Sequence, residues 1–123
     1  MAKKVLVVDD SRTALMMERE ILEKGTPYQC VTASDGQEAI EKAKRELPDL
    51  ILMDVVMPRM NGFEACKMMR QHQGTRNIPI VLVTTRGEEE YMEAGFQSGC
   101  NDYITKPVNG EELVALLQSY LGE

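Results

Sequence analysis

The sequence lacks the features that mark membrane-spanning, secreted and zinc-binding proteins. It has no tryptophan, one histidine and three cysteines without a C-x-x-C pair, which disfavours a thiolate–imidazole metal site. The aliphatic runs at residues 5–8, 50–53 and 80–83 are four residues long, whereas a membrane span needs about 20. The basic start of the chain is followed by a short apolar stretch that ends in two acids, so it is not a signal peptide.

Positive charge is also scarce. The chain has 14 basic and 20 acidic residues, and this net charge of −6 repels nucleic-acid phosphates unless a concentrated basic patch is present. The nearest approach to such a patch is Lys67, Arg70 and Arg76, which is typical of a solvated helix end. We therefore expect no nucleic-acid and no membrane partner. The three widely spaced cysteines predict reduced thiols, and hence a cytoplasmic protein.

The sequence does contain a regular alternation of two kinds of segment, and we take residues 1–123 as one domain. Short apolar segments predict strands at residues 4–8, 29–33, 50–54, 78–84 and 102–105. Apolar residues at helical spacing predict helices near residues 14–25, 39–47, 63–70 and 113–121. Wholly apolar strands that alternate with helices indicate a parallel sheet covered on both faces, which is a doubly wound α/β fold.

Two helix boundaries and one weak helix complete this prediction. Asn109, three residues before Glu112, predicts a capping box at the start of the last helix. The dipeptide Asn61-Gly62 predicts a turn before the third helix. A helix at residues 88–99 has a thin apolar face, and a glycine inside it costs ~1 kcal/mol relative to alanine. We expect that helix to be marginal and mobile.

Polar side chains stand at the carboxyl ends of four predicted strands. Asp9 and Asp10 follow the first strand, Asp54 ends the third, Thr84 ends the fourth and Lys106 follows the fifth. Each has an ordinary structural alternative, as a helix cap, a turn residue, a β-branched strand residue or a solvated lysine. Ligands of open parallel sheets bind beyond the carboxyl ends of the strands. The coincidence of these residues at that edge favours one common site.

Three carboxylates in one cleft need a proton or a cation. At ~4 Å and an effective dielectric constant near 20, each pair of like charges costs about 4 kcal/mol. All-oxygen ligands favour Mg²⁺, and its two charges together with Lys106 would balance the three acids. A neutral site of this kind can accept a phosphoryl group, with one carboxylate as the nucleophile.

Four segments in this order resemble a known family. They are VLVVDDS at residues 5–11, DLILMDVVMPRMNGFE at 49–64, IVLVTT at 80–85 and DYITKP at 102–107. The separations of Asp10, Asp54, Thr84 and Lys106 are 44, 30 and 22 residues in turn, typical of the receiver domains of two-component response regulators. The resemblance runs from about residue 4 to 121. It implies a flavodoxin-like (βα)₅ fold with a five-stranded parallel sheet of strand order 2-1-3-4-5.

The resemblance also implies the chemistry of the acids. Asp54 is the implied phospho-acceptor, taking a phosphoryl group from a histidine kinase or a phosphotransfer protein. Asp9, Asp10, Asp54 and the backbone carbonyl of Val56 are the implied ligands of Mg²⁺, for which Mn²⁺ can substitute. The protein then catalyses only its own phosphorylation and dephosphorylation, and is not an enzyme acting on external substrates.

The switch is implied by the same resemblance. Lys106 contacts a phosphoryl oxygen, the Thr84 hydroxyl moves to another, and the ring of Tyr103 changes rotamer with it. The Lys106-Pro107 bond is expected to be cis. A downstream target protein reads the surface of the fourth helix, fifth strand and fifth helix, while the first helix near residues 14–15 is the kinase-docking edge. We expect a monomer or a weak, phosphorylation-dependent dimer.

Some residues depart from the family pattern. Thr85 is bulkier than the residue usual after the switch threonine, and would narrow access for small phosphodonors. Val56 and Arg86 occupy the two positions that modulate dephosphorylation. An apolar Val56 cannot orient an attacking water, which predicts a persistent phosphoryl group. Cys100 stands where alanine is common, and core packing explains it.

Other functions remain as alternatives. One alternative is a metal-dependent hydrolase with an aspartyl-phosphate intermediate, which carries an acid two residues after the nucleophile. This chain has Val56 at that position, which disfavours turnover of external phosphate esters. A flavin-binding protein of the same fold needs a phosphate loop after the first strand, where two acids would repel the phosphate. A degenerate receiver that only binds partners would lack one of the five site residues. The chain can also be a receiver cut from a larger regulator, or a relay or phosphate-sink receiver without its own target; motility control is equally compatible.

Overall fold

The computed structural model describes residues 2–85 and 92–122. The strands are β1 (Lys4–Val8), β2 (Gln29–Ala33), β3 (Leu50–Asp54), β4 (Ile80–Thr85) and β5 (Asp102–Lys106). The helices are α1 (Arg12–Gly25), α2 (Gly36–Glu46), α3 (Gly62–Gln71), α4 (Met92–Ser98) and α5 (Gly110–Leu121). All neighbouring strands pair in parallel in the order β2-β1-β3-β4-β5, which confirms the predicted fold class and strand order.

Two apolar layers, one on each face of the sheet, explain why the central strands are apolar throughout. Leu6 and Val8 of β1 point into the layer that contains α2 and α3. Their neighbours Val5 and Val7 point into the layer that contains α1 and α5. Because side chains alternate between the two faces of a strand, both sets must be apolar when both faces are covered.

Short polar interactions set where the helices begin. Asn61 and Glu64 form a complete capping box at α3, where the sequence had suggested only a turn. At α5, the Asn109 side chain accepts from the Glu112 N–H at 2.9 Å, which is one of the two bonds of the predicted box. Helix α2 begins a turn earlier than predicted, because Asp35 caps it by accepting from the Glu38 N–H.

The bounds of strand β4 and helix α4 also differ from the predicted ones. Strand β4 begins at Ile80 instead of residue 78, because the Ile78 N–H closes a turn by donating to Thr75 O at 3.1 Å. Helix α4 is present from Met92 to Ser98, while residues 88–91 of the predicted helix lie outside the described residues. Gly99, with φ of +104°, follows its last turn. That this helix is marginal and mobile stays a prediction.

None of the helices described here is long and apolar enough to cross a membrane.

Candidate phosphoryl-acceptor site

The structure brings the three predicted acids together at the carboxyl edge of the sheet. One carboxylate oxygen from each of Asp9, Asp10 and Asp54 lies within 4.8 Å of the other two. Asp9 and Asp54 are buried, at 1% and 5% relative exposure, whereas Asp10 is exposed. They meet because β1 and β3 are parallel neighbours, so both strands end at the same edge. The cleft therefore holds two buried carboxylates and one that faces solvent.

The acids are not used as caps of the following helix, which was their ordinary alternative. Ser11 is the N-cap of α1, and its hydroxyl accepts from the Ala14 N–H at 3.2 Å. Asp9 Oδ1 accepts from the Ser11 N–H at 2.9 Å, which orients its carboxylate and leaves Oδ2 directed to the site. Helix α1 thus starts without consuming the acids.

Lys106 joins the two buried acids. Its Nζ lies 3.2 Å from Asp9 Oδ2 and 3.1 Å from Asp54 Oδ2. The Lys106-Pro107 bond is cis, in agreement with the expectation from the resemblance. A single ammonium group therefore partly neutralises both carboxylates from the end of β5.

The remaining negative charge shows in the titration of the site. Burial raises the pKa of Asp54 from 3.8 to about 6, with a further contribution from the charge of Asp9, against the opposing bonds from Lys106 and the Val56 N–H. Burial alone would lower the pKa of Lys106, but its bonds to Asp54 and Asp9 produce a net rise. Three carboxylates thus share one lysine in a partly buried cleft, and this arrangement favours a bound cation.

The donor set fits Mg²⁺. It consists of carboxylate oxygens within a few ångströms of one another, on an open edge with one solvent-exposed member, Asp10. Mg²⁺ prefers hard oxygen ligands and keeps several waters, which an open edge permits. The carbonyl of Val56 is the fourth implied ligand. Val56 lies two residues after the end of β3, at the same edge of the sheet, and is 58% exposed.

Thr84 carries a buried hydroxyl near the end of β4. Its side chain is fully buried, and Oγ1 has no hydrogen-bond partner among residues 2–85 and 92–122. Burying a hydroxyl without a hydrogen-bond partner lowers the stability of the fold by roughly 1–3 kcal/mol. Such groups are rare in folded proteins, and a functional role is one explanation for them. Register places Thr84 one residue beyond Val83, the β4 partner of Asp54, and therefore at the site edge.

Tyr103 is half-buried on β5 and contacts helix α4. Its ring lies edge-on to the ring of Phe96, with centroids 6.3 Å apart and planes at 73°. This geometry is the favoured arrangement of an aromatic pair. Phe96 itself is 49% exposed, so the contact links β5 to the outer face of α4.

Sequence reasoning missed two residues that shape the site. Glu18 on α1 is 3% exposed, and burial followed by the charge of Asp9 raises its pKa to about 7. The signal was a single acid on the apolar face of that helix. Gly62 is the other, because a Cβ there would lie 2.6 Å from the carbonyl oxygen of Asp54, so the loop after the acceptor strand needs glycine to pack this closely.

Comparison with known proteins identifies the family. The response regulator receiver domain family matches residues 5–118. The alkaline phosphatase synthesis regulator PhoP of Bacillus subtilis is 40% identical over 98% of this chain, and the chain spans 49% of that protein. Protein PilH of Pseudomonas aeruginosa is 37% identical, over 96% of this chain and 97% of its own length.

A solved structure agrees in both fold and length. The chemotaxis protein CheY4 of Vibrio cholerae superposes with a TM-score of 0.91 at 37% identity, covering 98% of this chain and 99% of that one. Receiver domains bind Mg²⁺ in a cluster of acidic residues, and such a cluster is present at the carboxyl edge of this sheet. The chain spans about half of PhoP but nearly all of PilH and CheY4. It therefore belongs to the response regulator receiver domain family of two-component signalling.

Proposed function

We propose that the protein is a phospho-accepting switch whose acceptor is Asp54. The observation that carries the proposal is the placement of Asp54 Oδ2, 3.1 Å from Lys106 Nζ and beside two further carboxylates. The donor is a phosphohistidine on a histidine kinase or phosphotransfer protein. In the transfer, a bond forms between an Asp54 oxygen and phosphorus, and the bond from phosphorus to the imidazole nitrogen breaks. The protein acts on no external substrate.

Charge neutralisation is the main task of the surrounding residues. Phosphoryl transfer depends on positioning and on electrostatic stabilisation more than on covalent chemistry by the protein. Lys106, whose Nζ donates a hydrogen bond to Asp54 Oδ2, would contact a phosphoryl oxygen. Asp9, Asp10, Asp54 and the Val56 carbonyl would hold Mg²⁺ (or Mn²⁺), which when bound supplies the positive charge that these acids lack.

The Thr84 hydroxyl supplies the link from chemistry to conformation. The Thr84 hydroxyl is buried and has no hydrogen-bond partner among the residues that the structure describes, so it can gain a strong, charge-assisted hydrogen bond when a phosphoryl oxygen arrives. Movement of Thr84 toward that oxygen would open space for the Tyr103 ring, which now packs against Phe96. The phosphoryl group then shifts the population of the surface formed by α4, β5 and α5, and a target protein reads that shift.

Replacement of the buried Thr84 hydroxyl by a methyl group tests this link. We expect Thr84→Val to stabilise the unphosphorylated protein by about 1 kcal/mol, because the variant no longer buries a polar group without a partner. The variant should still accept a phosphoryl group while losing the change at the α4-β5-α5 surface. Urea unfolding measures the first effect, and NMR of the Tyr103 ring with and without phosphorylation measures the second.

Thr105→Val is the matched control. Thr105 faces Thr84 across the β4–β5 pairing but is only half-buried, so its hydroxyl loses less water on folding. We expect its effect on the free energy of unfolding to stay within about 0.5 kcal/mol. Equal effects of the two substitutions, or a destabilised Thr84→Val, would contradict the role given to the Thr84 hydroxyl.

The docking edge for the phosphodonor is proposed on α1. Ala14 and Leu15 are half-buried near the site, and the neighbouring Met16 and Met17 are 71% and 57% exposed. Flexible, exposed methionines suit a protein-binding surface.

The experiment that tests the proposed function is intact-mass measurement after incubation with acetyl phosphate. A single phosphoryl adduct that forms with Mg²⁺ and not with excess chelator supports the proposal. If Thr85 narrows access to Asp54, the adduct will form only with a phosphorylated kinase as donor.

After donor removal, we expect the adduct to persist for minutes, since exposed, apolar Val56 cannot orient a water molecule for attack on the phosphoryl group. No adduct from either donor would contradict the proposed function, and loss within seconds would contradict the predicted lifetime.

A further inference from the structure

Arg70, near the end of α3, connects three segments at the edge of the sheet opposite to the acceptor site. Its Nε donates to Gly99 O at 2.8 Å, and its Nη1 donates to Ile78 O at 2.7 Å. Its Nη2 donates to Asn101 Oδ1 at 2.9 Å. Gly99 and Asn101 lie between α4 and β5, and Ile78 precedes β4. One guanidinium therefore holds the amino ends of two strands and the end of a helix.

The Asn101 side chain extends this connection to the sheet. Asn101 Oδ1 also accepts from the Ile80 N–H at 2.8 Å, and the Asn101 N–H donates to Ile80 O at 2.8 Å. Asn101 thus pairs with the first residue of β4 through both backbone and side chain. Arg70 binds the same amide oxygen, so it fixes the orientation of the amide as well as the position of the loop.

Close packing shows that Arg70 and the end of α4 fit one another. A Cβ on Gly99 would lie 2.7 Å from Arg70 Cγ, and the φ of Gly99 is +104°. Only glycine meets both conditions without strain. The arginine stem is therefore packed against the turn that follows α4, in addition to its hydrogen bonds.

Helix α4 has no basic residue in its own last turn. The carbonyl groups at the end of a helix carry partial negative charge, and a nearby cation stabilises them. Arg70, which belongs to α3, supplies that cation at Gly99 O. The position of the end of α4 therefore depends on a side chain from the neighbouring helix.

The aromatic pair of the switch spans the same turn. Phe96 lies three residues before Gly99, and Tyr103 lies two residues after Asn101. Their rings meet at 6.3 Å, so the backbone that carries each ring is held close to the point where Arg70 binds. Strand β4 separates this point from Thr84 by four residues, or roughly 13 Å. Loss of Arg70 should therefore loosen the aromatic pair without reaching the acceptor site.

We propose that Arg70 is a positioning residue of the switch, which anchors the end of α4 and the entry to β5 so that the Phe96–Tyr103 pair moves as a unit. The proposal rests on the proposed function, because it gives Arg70 a role in transmitting phosphorylation to the α4-β5-α5 surface. It adds a fixed point to that surface, on the far side of the sheet from Asp54.

Two measurements on Arg70→Met test the proposal. In the unphosphorylated protein, we expect hydrogen exchange of the Gly99 and Cys100 amides, which donate to Phe96 O and Gly95 O, to become about tenfold faster. With Mg²⁺ and acetyl phosphate, or a phosphorylated kinase if that donor is required, we expect the adduct yield to stay within about twofold of the unsubstituted protein. The change in the Tyr103 ring resonances on phosphorylation should fall to less than half.

Two further variants complete the design. Arg76→Met removes the same charge from an exposed side chain that makes no hydrogen bond or ion pair with the described residues, and should leave all three readouts unchanged. Arg70→Lys keeps the charge but replaces the planar fork by one ammonium, so it should restore part of the exchange protection and part of the Tyr103 response. If Arg70→Met does not fold, Arg70→Lys carries the same comparison with smaller effects.

The outcomes separate the two proposals. Unchanged exchange at Gly99 and Cys100 would overturn the anchoring role, whatever happens at Asp54. Faster exchange with a full Tyr103 response would show that Arg70 is structural and not part of the switch. A large fall in adduct yield would place its effect on the chemistry instead. If the unsubstituted protein takes no phosphoryl group, the proposed function fails, and with it the switch role, while the exchange rates still decide whether Arg70 anchors α4.

Discussion

Asp54→Asn is expected to take up no phosphoryl group under conditions in which the unsubstituted protein takes up one. The amide that replaces the carboxylate has nearly the same shape but is not a nucleophile, and Asp54 Oδ2 is the carboxylate oxygen that faces Lys106 at 3.1 Å. Intact mass with Mg²⁺ and acetyl phosphate, repeated with a phosphorylated kinase as donor, measures the adduct. Because one carboxylate is the acceptor, we expect the phosphoryl adduct to disappear completely instead of decreasing in part.

Asp49→Asn is the matched control for this substitution. Asp49 stands directly before β3, at the other end of the strand that carries Asp54, and accepts from the Lys4 N–H at 2.8 Å. An asparagine oxygen can accept the same bond, so fold and phosphorylation should both be retained. An adduct on Asp54→Asn that maps to Asp9 or Asp10 would contradict the assignment of the acceptor.

Asp54→Asn is also expected to stabilise the metal-free protein at alkaline pH. The pKa of Asp54 is about 6 in the folded protein and near 3.8 when it is unperturbed, because of burial and the charge of Asp9. Between these two values the folded protein holds a proton that the unfolded chain has lost, so ionisation of Asp54 lowers stability as the pH rises. At pH 8 Asp54 is ionised in both states, so the unsubstituted protein then carries the whole destabilisation that its raised pKa implies.

The difference between variant and unsubstituted protein cancels the titration of groups remote from the site, and it includes the effect of the Asp54 charge on Glu18. Urea unfolding in chelator should give Asp54→Asn the larger free energy of unfolding at pH 8, with the difference shrinking toward zero near pH 4. Saturating Mg²⁺ should raise the stability of the unsubstituted protein more than that of the variant, since the ion neutralises an ionised Asp54. A difference that is independent of pH, or insensitive to Mg²⁺, would mean that the Asp54 charge is not what limits stability.

Much of the site could be predicted from sequence because parallel strands impose a simple geometry. A strand that is apolar along its whole length must be buried on both faces, and the residue at its carboxyl end must emerge at the edge where ligands bind. Asp9, Asp54, Thr84 and Lys106 each stand at such an end, and the structure brings the acids and the lysine into contact. Residue type and order along the chain were sufficient for this inference.

The boundaries that differed were decided by short-range polar bonds. Asp35 begins α2 earlier than the apolar periodicity indicates, and the Ile78 N–H is used in a turn and not in the sheet. The sequence contains the capping-box pattern of Asn61 and Glu64. The dipeptide Asn61-Gly62 is also typical of a turn, so the same residues fit two local structures. Signals of this kind are weak one by one, because several side chains can satisfy the same backbone group.

The order and type of the residues were enough to predict the fold class, the chemical character of one edge of the sheet and, through the resemblance to receiver domains, the strand order. Hydrophobic periodicity and the order of strand-end residues carry that information locally. Three contacts became visible only in the folded protein: Glu18 is buried beside Asp9, Gly62 packs on the Asp54 carbonyl, and Arg70 joins α3 to the end of α4. These contacts join residues that lie 9, 8 and 29 positions apart in the chain and belong to different elements or loops. They depend on how each helix is rotated against the sheet and on which rotamer each side chain adopts, and no local pattern encodes either.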